Sequence, residues 1–471
     1  MIERKQHYIN GRWVGATAKE ILSVINPVTE EVIAQVPRGT PEEVDHAAQA
    51  AAAAFPAWSR TSVQQRSQVF QRLARLTEAR ADEITRTIVS ELGYPAKQAH
   101  KAQTVGAVEE LDLMAELLPQ VQWVEQIGST QVRRVPSGVL GAITAWNGPL
   151  RSVISKAGAA MAAGCTIVLK PSEVAPLSAF LFAEIAAEAG VPPGVFNMVC
   201  GTGPEVGEAI AGHPLVDMVS LTGSVRAGRR VMELGSQMVK RMHLELGGKS
   251  ANIILEDSDF ERAVADGIED AFRNTGQVCG GLTRMLVPRS RLQQAEQLAV
   301  AKAQSYVLGD PWNPATTLGP VSTAAARDRV RGYIRSGQEQ GLRMLCGGAE
   351  SPEGITRGWF VRPTVFSGDN QARIAREEIF GPVIVIIPFD GEEDAVRIAN
   401  DSLYGLGGAV WCRDVERARG IAYRLRTGRV RINGAALDKR GTHGGFKLSG
   451  FGREWGRVGI EEFLEYQSVF G

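Results

Sequence analysis

Cysteine is scarce in this sequence, with five residues in 471. The number is odd, and no two cysteines have the CxxC spacing of a zinc or redox site, so we expect neither a disulfide framework nor a cysteine-paired metal centre. The five are Cys165, Cys200, Cys279, Cys346 and Cys412. Any thiol chemistry would therefore rest on a single cysteine in a reducing compartment.

An excess of charge of either sign is also missing, because 52 Lys and Arg balance 52 Asp and Glu. Such a chain has no net field that would favour nucleic acid or an anionic membrane. It has no run of 18 apolar residues that could span a bilayer, and residues 1–8 lack the apolar stretch of a secretory signal. The composition predicts a cytoplasmic protein that binds neither nucleic acid nor membrane.

What the chain does contain is a repeated pattern of strands and helices. From residue 139 onward, short apolar stretches alternate with amphipathic helical patterns, which predicts parallel sheets covered by helices on both faces. The pattern forms two series with a junction near 246–250. The sequence therefore predicts an α/β fold with two doubly wound domains.

The region before residue 139 has a different pattern. Short strands are predicted at 7–10, 12–14 and 32–36, then a helix that begins at Pro41 with Thr40 as N-cap, and long helical patterns at 63–91 and 95–118. Residues 121–137 alternate apolar and polar side chains across a Gly-Ser turn, which predicts a β-hairpin. Because a lone hairpin is marginally stable, it needs a partner subunit or its own domain to pack on.

Two turns rich in glycine, at 201–207 and 221–228, lie between a predicted strand and a predicted helix. Each offers backbone amides at a helix N-terminus, which suits a pyrophosphate. Neither has the full GxGxxG pattern, so each alone is better explained as an ordinary tight turn. Lys170 and Glu173 follow another apolar strand, where they could hold ribose hydroxyls or form a solvated charge pair.

Three residues have the chemistry of a catalytic site. Glycines flank Cys279 and leave its sulfur approachable, although a buried, inert cysteine is the usual alternative. Glu245 ends an apolar strand, where a carboxylate can act as a general base; an ion pair with Lys249 is the alternative. Asn147 follows a strand and could donate a hydrogen bond to an oxyanion or cap the next helix.

Eight ordered motifs make the chain resemble the NAD(P)-dependent aldehyde dehydrogenase superfamily over essentially its whole length. They are Trp146-Asn147, Lys170-Pro171-Ser172-Glu173, Thr222-Gly223-Ser224, Glu245-Leu246-Gly247-Gly248-Lys249, Gly276-Gln277-Val278-Cys279, Glu378-Ile379-Phe380-Gly381-Pro382, Gly444-Gly445-Phe446-Lys447 and Ser449-Gly450-Phe451-Gly452-Arg453-Glu454. Agreement of eight motifs in one order is not a chance event. The resemblance therefore favours the functional alternatives above over the structural ones.

The resemblance implies a role for each catalytic candidate. Cys279 would attack the aldehyde carbon, and Asn147 together with the Cys279 amide would stabilise the oxyanion. Glu245 would activate water to hydrolyse the resulting thioester, which points to the hydrolytic, acid-forming branch of the family. Lys156 and Glu454 match positions that support a proton relay.

The resemblance also implies a nicotinamide cofactor. A carboxylate such as Glu173 hydrogen-bonds a ribose hydroxyl but repels a 2′-phosphate, which favours NAD, with NADP as an alternative. The residues expected at the cofactor are Thr144, Trp146, Lys170, Ser172, Glu173, Gly203, Gly223, Ser224, Gly228, Leu246, Glu378 and Phe380.

Domain functions and assembly follow from the same resemblance. Residues 1–120 and 138–247 would form the dinucleotide-binding domain, and 248–440 the catalytic domain with the nucleophile. The hairpin at 121–137 and the tail at 457–471 would form the oligomerisation element of a homodimer or homotetramer.

Three residues near the substrate depart from the family pattern. Gly148 and His443 stand where phenylalanine is frequent, and Arg151 stands where many members have an apolar residue, although a solvated arginine is the simpler interpretation there. Fewer aromatic walls predict a wide, polar mouth for a bulky, aromatic or polar aldehyde. Ser155 stands where enzymes that act on succinate semialdehyde often have arginine, which makes a small anionic substrate less favoured.

Other functions stay open at this stage. They are a semialdehyde dehydrogenase of a catabolic pathway, a dehydrogenase that transfers the acyl group to coenzyme A, a thiol esterase, and a non-catalytic protein on the same fold. Formation of NADH and free acid without coenzyme A distinguishes an acid-forming dehydrogenase from the acyl-transferring enzyme, the thiol esterase and the non-catalytic protein.

Overall fold

The computed structural model describes residues 2–471. Its strands are β1 (Ile2–Glu3), β2 (Gln6–Ile9), β3 (Arg12–Gly15), β4 (Ile21–Ile25), β5 (Val32–Pro37), β6 (Val124–Ile127), β7 (Thr130–Pro136), β8 (Val139–Ile143), β9 (Thr166–Lys170), β10 (Phe196–Met198), β11 (Met218–Thr222), β12 (Arg241–Glu245), β13 (Ala251–Ile254), β14 (Arg284–Pro288), β15 (Arg343–Cys346), β16 (Thr364–Ser367), β17 (Val383–Phe389), β18 (Tyr404–Gly405), β19 (Gly407–Trp411), β20 (Arg429–Ile432), β21 (Phe446–Lys447), β22 (Gly450–Phe451) and β23 (Leu464–Phe470).

Helices connect most of these strands. They are α1 (Pro41–Trp58), α2 (Val63–Ala79), α3 (Ala81–Leu92), α4 (Ala96–Ala99), α5 (Gly106–Leu117), α6 (Pro149–Val153), α7 (Ala159–Ala163), α8 (Leu177–Glu188), α9 (Glu208–Gly212), α10 (Val225–Ser236), α11 (Phe260–Phe272), α12 (Leu292–Gln304), α13 (Ala324–Glu339), α14 (Arg373–Arg376), α15 (Glu392–Asn400), α16 (Val415–Tyr423) and α17 (Gly456–Glu461). Thr40 is the N-cap of α1, as predicted, and its amide donates to the Glu43 carboxylate at 2.8 Å.

The first large sheet has the strand order β22-β12-β11-β8-β9-β10-β2-β3. Strands β12, β11, β8, β9 and β10 run parallel, and antiparallel strands complete both edges. Every residue of β8 and β9 is buried, as expected for strands covered on both faces. The carboxyl ends of β9, β11 and β12 carry Lys170, Thr222 and Glu245, so these residues lie along one edge of the sheet.

The second large sheet has the order β15-β16-β17-β14-β13-β19-β20, parallel except for β15. Residues 246–250 join it to the first sheet. A Cβ built on Gly248 would lie 2.4 Å from the Cys279 carbonyl oxygen, so this connection lies directly against the loop that precedes β14. The C-terminal region returns to the first sheet through β22, where Gly450 pairs with Glu245. Both predicted doubly wound layers are therefore present.

A separate sheet is formed by β23, β7 and β6. The hairpin predicted at 121–137 is β6 and β7, and β23 pairs with β7 from Leu464 opposite Pro136 to Phe470 opposite Thr130. All of β23 after Leu464 is exposed, including large apolar side chains.

The structure differs from the predicted elements in several places. The helical pattern at 63–91 forms two helices, because Arg80 leaves helical geometry at φ −105° and ψ 19°. The pattern at 95–118 contains a π-helical turn at His100–Val105. Strands β15 and β16 were not predicted, since their short mixed sequences lack a clear period. Within residues 2–471, no helix combines the length and the apolarity required to cross a bilayer.

Candidate active site

The loop that carries Cys279 has an unusual backbone. Asn274, Thr275 and Gly276 all have left-handed φ values of 48°, 57° and 71°. A Cβ on Gly276 would lie 2.1 Å from the Gly381 carbonyl oxygen, so only glycine fits there. The Thr275 hydroxyl donates to the Gly319 carbonyl at 3.0 Å. Such strain persists only where surrounding contacts fix it, and here it sets the position of the cysteine.

Cys279 lies where two cavities meet. One, which we call the funnel, has a volume of about 920 Å³, and the other, which we call the cleft, has a volume of about 1020 Å³, in both cases including space open to solvent. Four residues line both cavities, and they are Asn147, Thr222, Glu245 and Cys279. Three of the five residues expected to be catalytic, Cys279, Glu245 and Asn147, are therefore in this set.

Two hydrogen-bond donors border the Cys279 sulfur position. The Asn147 side-chain nitrogen donates to the Gln277 carbonyl at 3.0 Å, which leaves its second hydrogen free because an amide nitrogen carries two. Within residues 2–471, the Cys279 amide donates to no acceptor. These are the donor types that an oxyanion hole requires.

The Cys279 thiol is protonated at neutral pH in this structure. Burial raises its pKa to about 11, and nearby carboxylates, Glu245 among them, act in the same direction. The Arg429 guanidinium opposes them and lowers the pKa. A thiol acts as a nucleophile only as the thiolate, so Cys279 could take that role only beside a group that can accept its proton.

Glu245 is such a group. Its side chain is only 4% exposed, and burial together with the Glu454 carboxylate raises its pKa well above the ordinary value. Within the described chain, neither carboxylate oxygen accepts a hydrogen bond. A buried carboxylate with a raised pKa and free oxygens has the properties of a general base near neutral pH.

Lys156 and Glu454 form a buried ion pair. Lys156 lies in the π-helical turn Ile154–Gly158, and its Nζ donates to Glu454 Oε1 at 2.9 Å and to the Ser220 hydroxyl at 3.1 Å. Glu454 also lines the funnel. The structure therefore brings together the two residues expected in a proton relay.

The cleft has the features that a dinucleotide requires. Gly223 and Ser224 line it at the N-terminus of α10, whose first amides can bind phosphate. Glu173 lines it and accepts from Lys170 Nζ at 2.8 Å. At the other end, burial raises the pKa of Glu378 to about 7, and the Trp146 and Phe380 rings meet edge to face at 5.4 Å. The cleft therefore has groups that could bind a phosphate, a ribose and a nicotinamide ring.

Most of the expected cofactor residues line the cleft. They are Thr144, Trp146, Ser172, Glu173, Gly223, Ser224, Leu246, Glu378 and Phe380. Lys170 reaches it through its ion pair with Glu173. Gly203 and Gly228 are not among the lining residues; Gly228 lies inside α10, where a Cβ would meet the Leu246 side chain at 2.8 Å.

Gly148, Arg151 and His443 all lie in the funnel wall. A Cβ on Gly148 would have its nearest neighbour 3.6 Å away, so the structure has room there. Arg151 is only partly solvated: its side chain is 26% exposed, and its Nε lies buried 3.6 Å from Glu110 Oε2. Its guanidinium also lies 5.8 Å from the centre of the Trp455 ring.

The structure also reveals residues that the sequence did not single out. Arg429 and Trp455 line the funnel, and Arg329 lines the cleft. Trp455 has φ 66° and ψ 159°, a region that side-chain-bearing residues rarely occupy. His243 lies two residues before Glu245 on β12, and alternation along a strand places both on the same face, so this signal was available.

Comparison with known proteins agrees with the fold. A model of the aldehyde dehydrogenase family matches residues 13–469. The 3-succinoylsemialdehyde-pyridine dehydrogenase of a Pseudomonas species is 48% identical over 100% of this chain and 99% of its own length. A putative aldehyde dehydrogenase of Staphylococcus aureus is 40% identical over 100% and 99%.

Two crystal structures share this architecture. A cysteine-to-alanine mutant of aldehyde dehydrogenase C from Pseudomonas syringae, complexed with NAD+ and octanal, superposes with a TM-score of 0.98 at 46% identity, covering 99% of this chain and 96% of that one. The aldehyde dehydrogenase of Mycobacterium tuberculosis complexed with NAD+ gives 0.97 at 41% identity, covering 100% and 98%. The chain belongs to the aldehyde dehydrogenase family, a family of oxidoreductases that act on aldehydes.

Proposed function

We propose that this protein oxidises an aldehyde to the carboxylic acid with NAD, through a thioester on Cys279 that water hydrolyses. The observation that carries the proposal is the set of four residues shared by the funnel and the cleft, which contains Cys279, Glu245 and Asn147. An aldehyde in the funnel and a nicotinamide in the cleft would meet at the cysteine sulfur. The aldehyde carbon could then receive the sulfur from one side and transfer a hydride to the nicotinamide.

The first part of the mechanism forms a bond between Cys279 and the aldehyde. Glu245 takes the thiol proton, and the thiolate attacks the carbonyl carbon to give a thiohemiacetal. The Asn147 side-chain amide and the Cys279 backbone amide donate to the oxyanion as it develops. Arg429 lowers the pKa of the thiol and so stabilises the thiolate before attack.

The second part forms and hydrolyses the thioester. NAD bound in the cleft supplies the hydride acceptor. Glu245 then removes a proton from the attacking water, and Asn147 again donates to the oxyanion. Glu245 must release the thiol proton before it takes one from water, and it must release the water proton before the next cycle; the Lys156–Glu454 pair offers a buried route for both.

Glu173 supports NAD as the preferred cofactor. Its carboxylate is 40% exposed at the edge of the cleft and is held by Lys170. In this position it can accept from a ribose hydroxyl and would repel a 2′-phosphate. Two NAD+-bound relatives agree with this preference.

The funnel favours an aldehyde with a bulky and polar remainder. Its wall combines space above Gly148 with the Trp455 ring and the guanidinium groups of Arg151 and Arg429. Ring stacking and hydrogen bonds to a ring nitrogen or a carbonyl are the contacts that such a wall offers. The relative named for a pyridine semialdehyde makes an aryl semialdehyde the substrate class of choice.

Assembly through the β23-β7-β6 sheet is part of the proposal. The apolar side chains Tyr466, Val469 and Phe470 are 66%, 45% and 79% exposed on β23. An exposed strand with such side chains is a template for association, so we expect a homodimer or a homotetramer. Light scattering of the purified protein, against a variant with Val469→Lys and Phe470→Lys, tests this expectation; an unchanged mass would contradict it.

The activity is tested by a panel of aldehydes with NAD, without coenzyme A. We expect NADH and free acid in equal amounts, with aryl and heteroaryl aldehydes preferred over acetaldehyde. Cys279→Ala is expected to abolish turnover. Acid formation that requires coenzyme A, or a Cys279→Ala variant with normal turnover, would overturn the proposal.

A further inference from the structure

Two histidines lie close to the carboxylate of Glu245, one near each oxygen. His243 Nε2 lies 3.6 Å from Glu245 Oε1, and His443 Nε2 lies 3.4 Å from Oε2. Both imidazoles are buried, with 0% and 7% of their surface exposed. The chain has six histidines in total, so two of them at one carboxylate form a distinct arrangement.

The proton on His443 can be assigned from its other partner. Arg429 Nη1 lies 3.0 Å from His443 Nδ1. A guanidinium only donates hydrogen bonds, so Nδ1 must accept, and in a neutral imidazole the proton then resides on Nε2. The proton of His443 is therefore on Nε2, the ring nitrogen that lies 3.4 Å from Glu245 Oε2.

The proton on His243 follows from a similar chain of contacts. The Ser220 hydroxyl lies 2.7 Å from His243 Nδ1 and accepts from Lys156 Nζ at 3.1 Å. The hydrogen of that hydroxyl is then free to be donated to Nδ1, which again leaves the imidazole proton on Nε2. Burial lowers the pKa of both histidines well below 6.5, so both are neutral.

We propose that His243 and His443 are positioning residues that hold the Glu245 carboxylate between two neutral N–H donors and stabilise its ionised form. The inference rests on the proposed function, because it assigns Glu245 the role of general base. We call the two residues the histidine pair. Arg429 fixes the proton position on the His443 ring, and Ser220 together with Lys156 fixes it on the His243 ring.

The present N···O separations are slightly longer than a hydrogen bond. A small rotation of the carboxylate would close either contact, and catalytic contacts often tighten only when substrate binds. With an N–H donor near each oxygen, the carboxylate keeps a hydrogen-bond partner both when it turns towards the thiol and when it turns towards water. This freedom suits a base that acts on two atoms in one cycle.

Other charged groups act on Glu245 in both directions. The Glu454 carboxylate raises its pKa, whereas Lys156, Arg453 and Arg429 lower it. The histidine pair acts with the cations, because donors to a carboxylate favour the charged form. Loss of either donor should therefore raise the pKa of Glu245 further and move the acid limb of thioester hydrolysis to higher pH.

The test compares His443→Phe with His443→Gln, whose amide keeps a donor near the Nε2 position. We measure the burst of NADH and the later steady rate from about pH 6 to about pH 9. For His443→Phe we expect the acid limb of the steady rate to move up by about one pH unit, so that the rate falls roughly tenfold at low pH and recovers at high pH. His443→Gln should lie close to the native profile.

His243→Gln provides the second arm, with His7→Gln as a matched control. His7 is also fully buried and faces a carboxylate, Glu43, at 3.9 Å, but it lies outside the funnel and the cleft. Thermal unfolding and NAD titration confirm that each variant folds. The control should keep the native profile, and the double variant His243→Met/His443→Phe should show the largest shift.

The outcomes separate the two proposals. The role of the histidine pair is overturned if the acid limb is unshifted in His443→Phe and in the double variant. It is also overturned if the rate falls equally at every pH and His443→Gln does not restore it. In both cases NADH formation by the native protein leaves the proposed function standing. If the native protein forms no NADH from any aldehyde of the panel, the proposed function itself is overturned.

Discussion

Replacement of Glu173 by glutamine should change the cofactor preference. The carboxylate is fixed by Lys170 Nζ at 2.8 Å, and the lysine is almost fully buried whereas the glutamate is 40% exposed. Glutamine keeps the shape and one acceptor, but it removes the charge and leaves the lysine as a free cation. The variant therefore tests charge rather than size.

The magnitude follows from two contributions. Relief of the repulsion between a partly exposed carboxylate and a 2′-phosphate about 5 Å away is worth about 1–2 kcal/mol, after allowance for solvent screening. A charged acceptor replaced by a neutral one weakens the ribose hydrogen bond by about 1 kcal/mol. The sum, about 2–3 kcal/mol, corresponds to a roughly 30- to 150-fold change in the NADP-to-NAD ratio of kcat/KM.

The assay is the initial rate of reduced cofactor formation at saturating aldehyde, with NAD and NADP varied in turn. Glu205→Gln is the control, because Glu205 is a partly exposed acid of the same domain that pairs with Arg38 and does not line the cleft. The control should keep the native ratio. A Glu173→Gln variant with an unchanged ratio would refute the electrostatic argument.

Three further predictions concern the funnel and the loop. A Cβ at residue 148 meets no atom closer than 3.6 Å, so Gly148→Phe should narrow the funnel and lower KM for short aliphatic aldehydes relative to benzaldehyde-type substrates; no gain for the small ones would count against a wide mouth. Arg429→Gln removes the cation that lowers the pKa of Cys279, so alkylation by iodoacetamide should become slower and its pH midpoint should rise; an equal rate would exclude this electrostatic role. Gly276→Ala should destabilise the fold by about 1–3 kcal/mol, seen as a lower Tm, because its Cβ meets the Gly381 carbonyl.

The sequence was sufficient for the architecture because the strands of both large sheets are continuous apolar runs. Buried strands such as β8 and β9 need hydrophobic side chains on both faces, and this pattern is visible without coordinates. Strands β15 and β16 lie near the edge of the second sheet and have no such pattern, so they were missed. The edge strand β15 is only partly buried, and β16 is buried but has four residues, too few to show a period.

The candidate site was only partly accessible from sequence. Cys279, Glu245 and Asn147 belong to short motifs whose neighbours are close in the chain, whereas the contacts of His443 with Arg429 and of His243 with Ser220 join distant segments. The sequence assigned His443 to the substrate mouth, which its place in the funnel wall supports. Its contact with the general base depends on how the C-terminal segment packs against β12, which no local pattern specifies.

The most direct test of the account is to trap the acyl group on Cys279. In Glu245→Gln, acylation should be slower than in the native protein because the thiol loses its proton acceptor, although the small thiolate fraction can still attack; hydrolysis should slow by about 10²- to 10⁴-fold because no general base activates the water. After brief mixing with NAD and an aryl aldehyde, mass spectrometry of the digested protein should find the acyl group on the peptide that contains Cys279. An unmodified Cys279 alongside an NADH burst, or an acyl group on another residue, would contradict the account.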